Sequence, residues 1–316
     1  MRSPDSTSMN GKLLLLRTAT KESISATRTI FARAIATHRI EASLAERVLL
    51  YLCVGATLFF VLFPFYWMIV TSLIPATELY SLPPQVVPTE FTLEHYRELF
   101  ADRVVPFTTY FVNSVLVATI ASAMAVAVSI FGAYSFARLE YPGRSVISRG
   151  VLLSYMIAGI LMVVPIFQIV VWLGLVDTLT SLILTHFIFT IPLGLYLLGN
   201  YFRSIPAEIE EAAMIDGYSR VEVLLRITLP MSTPAIVAVY LYSFLLSWNE
   251  YLYASIFIRS QERYTLPIGI EFLQFEFQNV WGEIMAASLL TTVPVVVMFL
   301  YLEKYMIQGI DFGSMD

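Results

Sequence analysis

A short run late in the chain, SWNEYLYA, carries the side chains best suited to bind a solute. Glu250 is the only ionisable acid well inside a long apolar run, and Trp248, Asn249 and Tyr253 stand beside it. An acid in mid-membrane costs roughly 2.5 to 3.5 kcal/mol, so it usually faces a bundle interior or a water-filled path. Aromatic rings pack on the C–H faces of sugars, while amides and acids bond their hydroxyls. These four residues are candidates for the path of a sugar-like solute.

The same run has a second interpretation, in which it lies near the outer surface of a membrane. Arg259 follows closely, and Trp248 and Tyr251 would then belong to the belt of aromatic side chains that marks a membrane interface. Proton-coupled transport built on this single acid is the weakest interpretation.

No arrangement in the sequence predicts catalysis or metal binding. A glycine-rich phosphate loop ending in Gly-Lys-Ser/Thr is missing, so the chain is not expected to bind or hydrolyse ATP itself. The histidines, His38, His95 and His186, are scattered and form neither a zinc site nor a Ser-His-Asp triad. We expect His95 at the surface and His186 bonded to a neighbouring helix. Cys53, the only cysteine, excludes an internal disulfide and a cysteine-rich metal site.

Charge is concentrated instead in the stretch EEAAMIDGYSRVEVLLRITLP, which ends at Pro230. Its pattern predicts a helix begun by Ser204 and Pro206, a corner at Gly217, and a second helix begun by the capping box Ser219–Glu222. Pro230 is expected to end that second helix. We refer to residues 203–231 as the polar insert.

Each predicted helix of the polar insert has a distinct side. Helical spacing places Ile209, Ala212, Ala213 and Asp216 on one flat face of the first helix. Val221, Leu224 and Leu225 form the apolar side of the second. Because a simple connection between two helices needs only about five residues, this much local order indicates a docking surface.

The composition identifies the class of protein around the insert. The chain has 316 residues, of which 58% are hydrophobic and 14% charged, with a mean hydropathy of +0.74. A soluble fold does not cover so much apolar surface with so little charge, so an all-α integral membrane protein is predicted. The net charge of −5 gives no reason to expect a nucleic-acid partner. Six apolar runs are long enough to span a bilayer: Val48 to Leu73, Val104 to Ala137, Gly150 to Val176, Thr178 to Phe202, Ser232 to Ile258 and Ile284 to Leu302.

The distribution of Lys and Arg predicts the orientation of these spans. With the N-terminus inside, fifteen of the nineteen basic residues fall on inner segments, as the positive-inside rule requires. Both termini and the polar insert, between spans four and five, are therefore expected in the cytosol. The predicted organisation is a cytosolic tail (1–47), a transmembrane domain (48–308) and a second cytosolic tail (309–316). An organellar transit peptide is the alternative for the first tail, whose four acidic residues count against it.

The polar insert also resembles a known family. Glu211-Ala212-Ala213, then Gly217, Ile227 and Leu229-Pro230, reproduce the E-A-A, G, I-x-L-P loop of permease subunits of bacterial and archaeal ATP-binding-cassette importers. The stretches PTEFTLEHYRELF, RLEYPGR and SWNEYLYA resemble the carbohydrate-importer branch, in particular the shorter permease of the maltose type. The resemblance covers about residues 48–312.

The resemblance implies a function and a set of partners. In that family the loop enters a cleft on the ATPase subunit, so Glu211, Ala212, Ala213, Asp216 and Gly217 would be the docking corner. The anchors to the bundle would be Ile227, Leu229 and Pro230. The implied partners are a pair of ATPase subunits that bind ATP and Mg²⁺, a homologous second permease, an extracytoplasmic solute-binding protein, a sugar-like solute and membrane lipid. This chain would bind no cofactor, and its location would be the cell membrane of a bacterium or archaeon.

Two other functions remain open from the sequence. The same type of permease carries other solutes, such as polyols, glycerol-phosphate or amino acids, although glycerol-phosphate favours cationic residues that these spans lack. An ion-driven secondary transporter would need ion ligands within the membrane and would have no use for the polar insert.

Overall fold

A computed structural model describes residues 44–83, 85–102, 105–157, 159–276 and 280–312, without the side chains of 44–46, 275, 276 and 306–312. Most of the predicted tail 1–47 and residues 313–316 of the second tail lie outside this description, as does Val104. The long helices are α1 (Leu44–Leu73), α3 (Phe107–Arg138), α6 (Leu179–Ser204) and α12 (Trp281–Phe312). The shorter helices are α2 (Glu94–Phe100), α4 (Arg144–Tyr155), α5 (Gly159–Trp172), α7 (Ala207–Ile215), α8 (Arg220–Met231), α9 (Thr233–Trp248), α10 (Leu252–Phe257) and α11 (Leu266–Glu276).

The described residues form helices and contain no β-strand, which agrees with the predicted all-α class. The helices α1, α3, α6 and α12 are each long and apolar enough to cross a membrane. Two bent pairs, α4 with α5 and α8 with α9, raise the number of spans to six if each pair counts as one. By length and composition, the structure thus contains four to six candidate spans.

Two of the predicted spans are interrupted. The sequence did not predict these breaks, because a continuous apolar run does not show where the helical hydrogen bonds of the backbone stop. The third, predicted from Gly150 to Val176, divides between α4 and α5 and ends with α5 at Trp172. The fifth, predicted from Ser232 to Ile258, breaks after Trp248 and resumes as α10. The second break contains part of the SWNEYLYA run.

The described chain forms two compact units, divided between Pro64 and Phe65. In the first unit, α1 exposes its apolar side chains on all sides, as a lipid-facing helix does. The second unit contains the packed core. Its centre is the pair α3 and α6, which approach closely: a Cβ added at Gly194 would overlap Ser129, and one at Gly132 would overlap Leu195.

His95 is a further departure from the sequence prediction, since it is buried rather than at the surface. Its Nδ1 lies 3.1 Å from Glu283 on α12, and its Nε2 lies 2.9 Å from the carbonyl oxygen of Ile74. Burial lowers the pKa of His95, but the Glu283 carboxylate and the Ile74 carbonyl outweigh it, so the net shift is upward. The amphipathic pattern of α2 did not reveal these partners, because they come from distant parts of the chain.

Asp177 joins two loops at the same end of the bundle. Its carboxylate accepts hydrogen bonds from the backbone N–H groups of Arg259 and Ser260, at 3.0 and 2.9 Å, and contacts Arg263 at 2.9 Å. The Ser260 hydroxyl also donates to it, and these hydrogen bonds together with Arg263 lower the pKa of Asp177 below its ordinary value. We refer to this contact as the Asp177 clamp.

We expect Asp177→Asn to lower the unfolding temperature of the detergent-solubilised protein at neutral pH. Because the pKa of Asp177 is lowered on folding, the carboxylate stabilises the fold above its ordinary value of 3.8 and loses that effect as pH falls through the folded pKa. The difference between wild type and variant should therefore shrink in acid. Thermal unfolding across a pH series measures this, with Glu262→Gln, exposed in the same loop, as the matched control. An equal effect of both variants would contradict the clamp.

Candidate functional site

The first helix of the polar insert ends as its sequence predicts. Gly217 has φ of +95°, and its N–H bonds to the carbonyl of Met214 while the N–H of Tyr218 bonds to that of Ala213. This pair of bonds is a Schellman motif, which needs a residue that tolerates positive φ. No atom lies within 4 Å of a Cβ built at Gly217, so the requirement for glycine is conformational rather than steric.

The capping box that begins the second helix is also confirmed. The Ser219 hydroxyl accepts from the N–H of Glu222, and the Glu222 carboxylate accepts from the N–H of Ser219. Two other predicted boundaries are wrong. Ser204 belongs to the end of α6, where its hydroxyl bonds to the Tyr201 carbonyl, and Pro206 is the N-cap of α7.

Pro230 does not stop the second helix, which continues to Met231. The segment Leu224–Thr228, immediately before Pro230, is π-helical. Such a wider turn accommodates a residue that has no N–H to donate. α8 therefore runs through the proline and bends by 79° into α9.

A buried glutamate that the sequence reading did not single out holds the polar insert in place. Glu210 is 4% exposed, and its Oε1 lies 3.0 Å from the guanidinium Nε of Arg138. The hydroxyls of Tyr134 and Thr228 donate to its two oxygens at 3.1 and 3.0 Å. Arg138 also donates to the carbonyl of Ile205 at 2.8 Å. We refer to these five residues as the Glu210 cluster.

The Glu210 cluster is a buried ion pair whose charged groups have additional hydrogen-bond partners. Losing one member of such a pair leaves an uncompensated buried charge and costs roughly 3 to 5 kcal/mol. The sequence analysis assigned Glu210 no role of its own. The available signal was the spacing of Tyr134 and Arg138, which places two polar groups one turn apart on an otherwise apolar helix.

The two helices of the insert turn inward only some of the residues predicted for their distinct sides. Ala213, Val223 and Leu224 are buried against the bundle. Of the apolar side predicted for the second helix, Leu224 is buried as expected, whereas Val221 and Leu225 face outward. The outward surface carries an apolar patch, here called the exposed edge: Ile209, Ile215, Tyr218, Val221 and Leu225.

The remaining residues predicted for docking and anchoring are now placed. Glu211, Ala212 and Asp216 are exposed beside the corner, as a docking surface requires. Ile227 and Leu229 are partly buried, while Pro230 is exposed. Four of the five predicted docking residues, Glu211, Ala212, Asp216 and Gly217, are therefore exposed at the corner. The fifth, Ala213, is buried.

The SWNEYLYA run is also brought together, but not as an open surface. Trp248 is buried, stacked on Phe244 with ring centroids 5.5 Å apart and met edge-on by Phe111 at 6.0 Å. Tyr253 is buried too, and its hydroxyl donates to the carbonyl of Gly159 at 2.7 Å. Asn249 is exposed, with its amide donating to the Leu245 carbonyl at 2.8 Å.

Glu250 occupies the break between α9 and α10 and caps the second of these helices. Its carboxylate accepts from the N–H groups of Tyr253 and Ala254 at 2.7 and 3.2 Å. The same carboxylate lies 3.6 Å from Nε2 of buried His186 on α6. This separation is longer than a hydrogen bond, so the predicted bond from His186 to a neighbouring helix stays a prediction. Of the four candidate path residues, Asn249 and Glu250 retain access, whereas Trp248 and Tyr253 pack inside this chain.

These features define a multi-pass helical membrane protein with one folded polar insert between its membrane helices. Residues 125–311 match the family described as binding-protein-dependent transport system inner membrane component. The chain belongs to this family, which confirms the resemblance to importer permeases drawn from the E-A-A loop. It is accordingly a multi-pass protein of the inner membrane.

Individual relatives cover most of the chain. It is 42% identical over 262 residues to the inner membrane ABC transporter permease protein YcjP of Escherichia coli K12, spanning 82% of this chain and 94% of that one. It is 36% identical over 273 residues to the trehalose/maltose transport system permease protein MalG of Thermococcus litoralis, spanning 85% and 97%. A bacterial ABC transporter that imports the acidic polysaccharide alginate has the same fold, with a TM-score of 0.74 at 20% identity over 84% of this chain and 99% of that one.

Proposed function

We propose that this chain is a transmembrane subunit of an ATP-driven importer that translocates a sugar, either a monosaccharide or an oligosaccharide. In this proposal the chain has no catalytic residue and binds no cofactor. Separate ATPase subunits bind ATP and Mg²⁺, a second homologous permease completes the pore, and an extracytoplasmic binding protein delivers the sugar. Each bent pair of helices is one span, giving six, with both termini and the polar insert in the cytosol.

One observation carries the proposal: the polar insert is rigidly folded yet presents an apolar edge outward. The Glu210 cluster and buried Val223 hold the insert to the bundle, while Ile215 is 86% exposed next to the Gly217 corner. An exposed apolar side chain on a polar, non-membrane loop is explained by a protein partner that covers it. In this proposal the partner is the ATPase subunit that supplies energy, and membership of the binding-protein-dependent transport family supports it.

The sugar assignment is supported by chemistry and by similarity. The relative MalG belongs to a trehalose/maltose system and is similar along almost its whole length. Asn249 and Glu250 place an amide and a carboxylate at a helix break, where backbone and side chain can bond hydroxyl groups. A phosphorylated solute would need cationic side chains to bind it. The two arginines nearest to this break in the sequence, Arg259 and Arg263, lie in the loop of the Asp177 clamp, and Arg263 is paired with Asp177.

The experiment is ATP-dependent uptake by the complete transporter in proteoliposomes. The chain is co-expressed with the proposed ATPase, second permease and binding protein. Radiolabelled trehalose, maltose, glycerol-3-phosphate and an amino acid mixture are offered separately. We expect co-purification of the ATPase and uptake of a sugar only. Uptake of glycerol-phosphate or amino acids would replace the sugar assignment, and uptake driven by an ion gradient without ATP would overturn the importer.

We expect Asn249→Ala to raise the KM for the transported sugar several-fold while leaving subunit assembly unchanged, because its amide is exposed and its loss leaves the fold intact. Ser255→Ala, exposed on nearby α10, is the matched control. An unchanged KM in the Asn249 variant would remove that residue from the solute path.

A further inference from the structure

We infer that Glu210 is a positioning residue that fixes the polar insert to α3, so that the insert and this helix move as one body during transport. The inference rests on the proposed function, because it concerns how movement imposed on the insert by an ATPase reaches the opposite side of the membrane. Glu210 does this through its buried contacts rather than by touching the partner.

Three chain segments converge on the carboxylate of Glu210. Glu210 belongs to α7, Thr228 to α8, and Tyr134 and Arg138 to the inner end of α3. Arg138 additionally holds the carbonyl of Ile205, the residue through which the chain enters the insert. Both helices of the insert and its entry point are therefore attached to the same turn of α3.

Burial distinguishes this attachment from the other ion pair of the insert. Glu222 and Arg226 lie 3.8 Å apart with both side chains largely exposed, so water competes for them. Glu210 and Arg138 are shielded from water, and every oxygen of the carboxylate is engaged. A buried cluster in which both carboxylate oxygens are engaged resists rearrangement, so it transmits displacement from the insert to α3.

The opposite end of α3 is attached to an outer loop. This helix has 32 residues and is about 48 Å long, enough to cross the membrane. Near its start, the Asn113 amide donates to the carbonyls of Glu262 and Tyr264 at 3.0 and 2.9 Å. The Ser114 hydroxyl accepts from the N–H of Leu266 at 2.7 Å. α3 thus holds the polar insert at one end and the loop of the Asp177 clamp at the other.

Between its two ends, α3 packs closely against α6. At Gly132 and Gly194, α3 and α6 approach so closely that an added Cβ would overlap Leu195 or Ser129, and such close packing transmits strain from one helix to the other. Asp177, just before α6, is clamped to Ser260 in the loop that Asn113 and Ser114 hold. The outer loop therefore follows α3 and α6 together. In this inference the Glu210 cluster carries a pull on the insert to α3, beside the route through α6, and so to this loop.

The test uses the complete transporter with Glu210→Gln, which keeps the shape of the side chain but removes the charge that pairs with Arg138. Glu208→Gln, an exposed carboxylate on the same helix, is the matched control. We expect Glu210→Gln to retain ATPase co-purification and ATP hydrolysis, while the amount of trehalose or maltose imported per ATP falls roughly tenfold, within the usual range of coupling between sites. The Glu208 variant should match wild type.

A spectroscopic measurement separates positioning from a general loss of fold. Spin labels are placed at Ala207→Cys on α7 and Val128→Cys on α3, both exposed, after the native cysteine is removed by Cys53→Ser. In the wild-type background, one distance should persist when the transporter is trapped with ADP, vanadate and Mg²⁺. With Glu210→Gln the distance distribution should broaden or shift on trapping. Tyr134→Phe and Thr228→Val, which retain the ion pair, should give smaller effects of the same kind.

Two results would overturn the inference. One is a change of the α7–α3 distance on trapping in wild type, since the insert would then move independently of α3. The other is a Glu210→Gln transporter whose distances and sugar imported per ATP equal those of wild type. Failure of the proposed function gives a different result, namely that no ATPase co-purifies with the wild-type chain and that vanadate traps nothing.

Discussion

Replacing Gly217 with proline or valine is expected to abolish ATP-driven sugar uptake while the chain still inserts in the membrane. The corner of the polar insert requires φ of +95°, which proline cannot adopt and which costs a β-branched residue about 1 to 3 kcal/mol. The second helix would then start in a different direction, and the exposed edge would no longer face one partner as a single surface. Insertion is spared because a Cβ built at Gly217 meets no atom within 4 Å, so the new side chain does not clash with the bundle.

The matched control is Gly217→Asn at the same position. Asparagine adopts the left-handed conformation far more readily than valine, and a Cβ at Gly217 meets no neighbour. We expect this variant to keep most of the uptake. Proteoliposome uptake and membrane quantity by immunoblot measure both properties. Equal activity of the valine and asparagine variants would contradict the role of the corner.

The second large effect is expected for Ile215→Glu, which should prevent association with the ATPase. Ile215 is 86% exposed beside the Gly217 corner, so a carboxylate there leaves the fold of this chain unaffected. In a covered apolar interface the same carboxylate would be buried without a partner, which is costly. Loss of the ATPase from affinity-purified complexes, by at least about tenfold, is the expected result.

Leu82→Glu provides the control for this change. Leu82 is 90% exposed on the loop between α1 and α2, at the opposite end of α3 from the insert, and the substitution is chemically the same. It should leave the ATPase bound. If Ile215→Glu also retains the ATPase, the exposed edge is not the docking surface.

The features of the polar insert that follow from local chemistry were predictable. The Gly217 corner and the Ser219–Glu222 capping box depend on backbone geometry within a few residues, and both formed as expected. The end of α8 was predicted at Pro230 by a local rule as well. It was wrong because a π-helical segment accommodated the proline.

The features that depend on distant contacts were not predictable. Glu210 bonds to Tyr134, 76 positions away, and His95 pairs with Glu283 from the opposite end of the sequence. Trp248 was a candidate for the solute path or for the aromatic belt, but Phe111 and Phe244 cover it. An apolar pattern shows that a residue lies within the membrane region, but it does not show whether lipid, a path or another helix is its neighbour.

The break in the fifth predicted span also depends on a distant contact. The fifth run is mostly apolar, so its sequence predicts one span from Ser232 to Ile258 despite Asn249 and Glu250. The break after Trp248 is stabilised by Glu250, which caps α10 and approaches His186 on a helix far away in the sequence. An acid inside an apolar run thus had a structural role that only the packed structure reveals, and this role is compatible with contact to a solute at the break.

Site-specific photo-crosslinking in cells tests the central claim most directly. A photoreactive phenylalanine analogue replaces Tyr218, on the exposed edge, or Leu82, at the other end of the bundle, and adducts are identified by mass spectrometry. The account predicts that Tyr218 crosslinks to a subunit containing a Gly-Lys-Ser/Thr phosphate loop and that Leu82 does not. Adducts of that ATPase from Leu82, with none from Tyr218, would contradict both the orientation of the chain and the role of its polar insert.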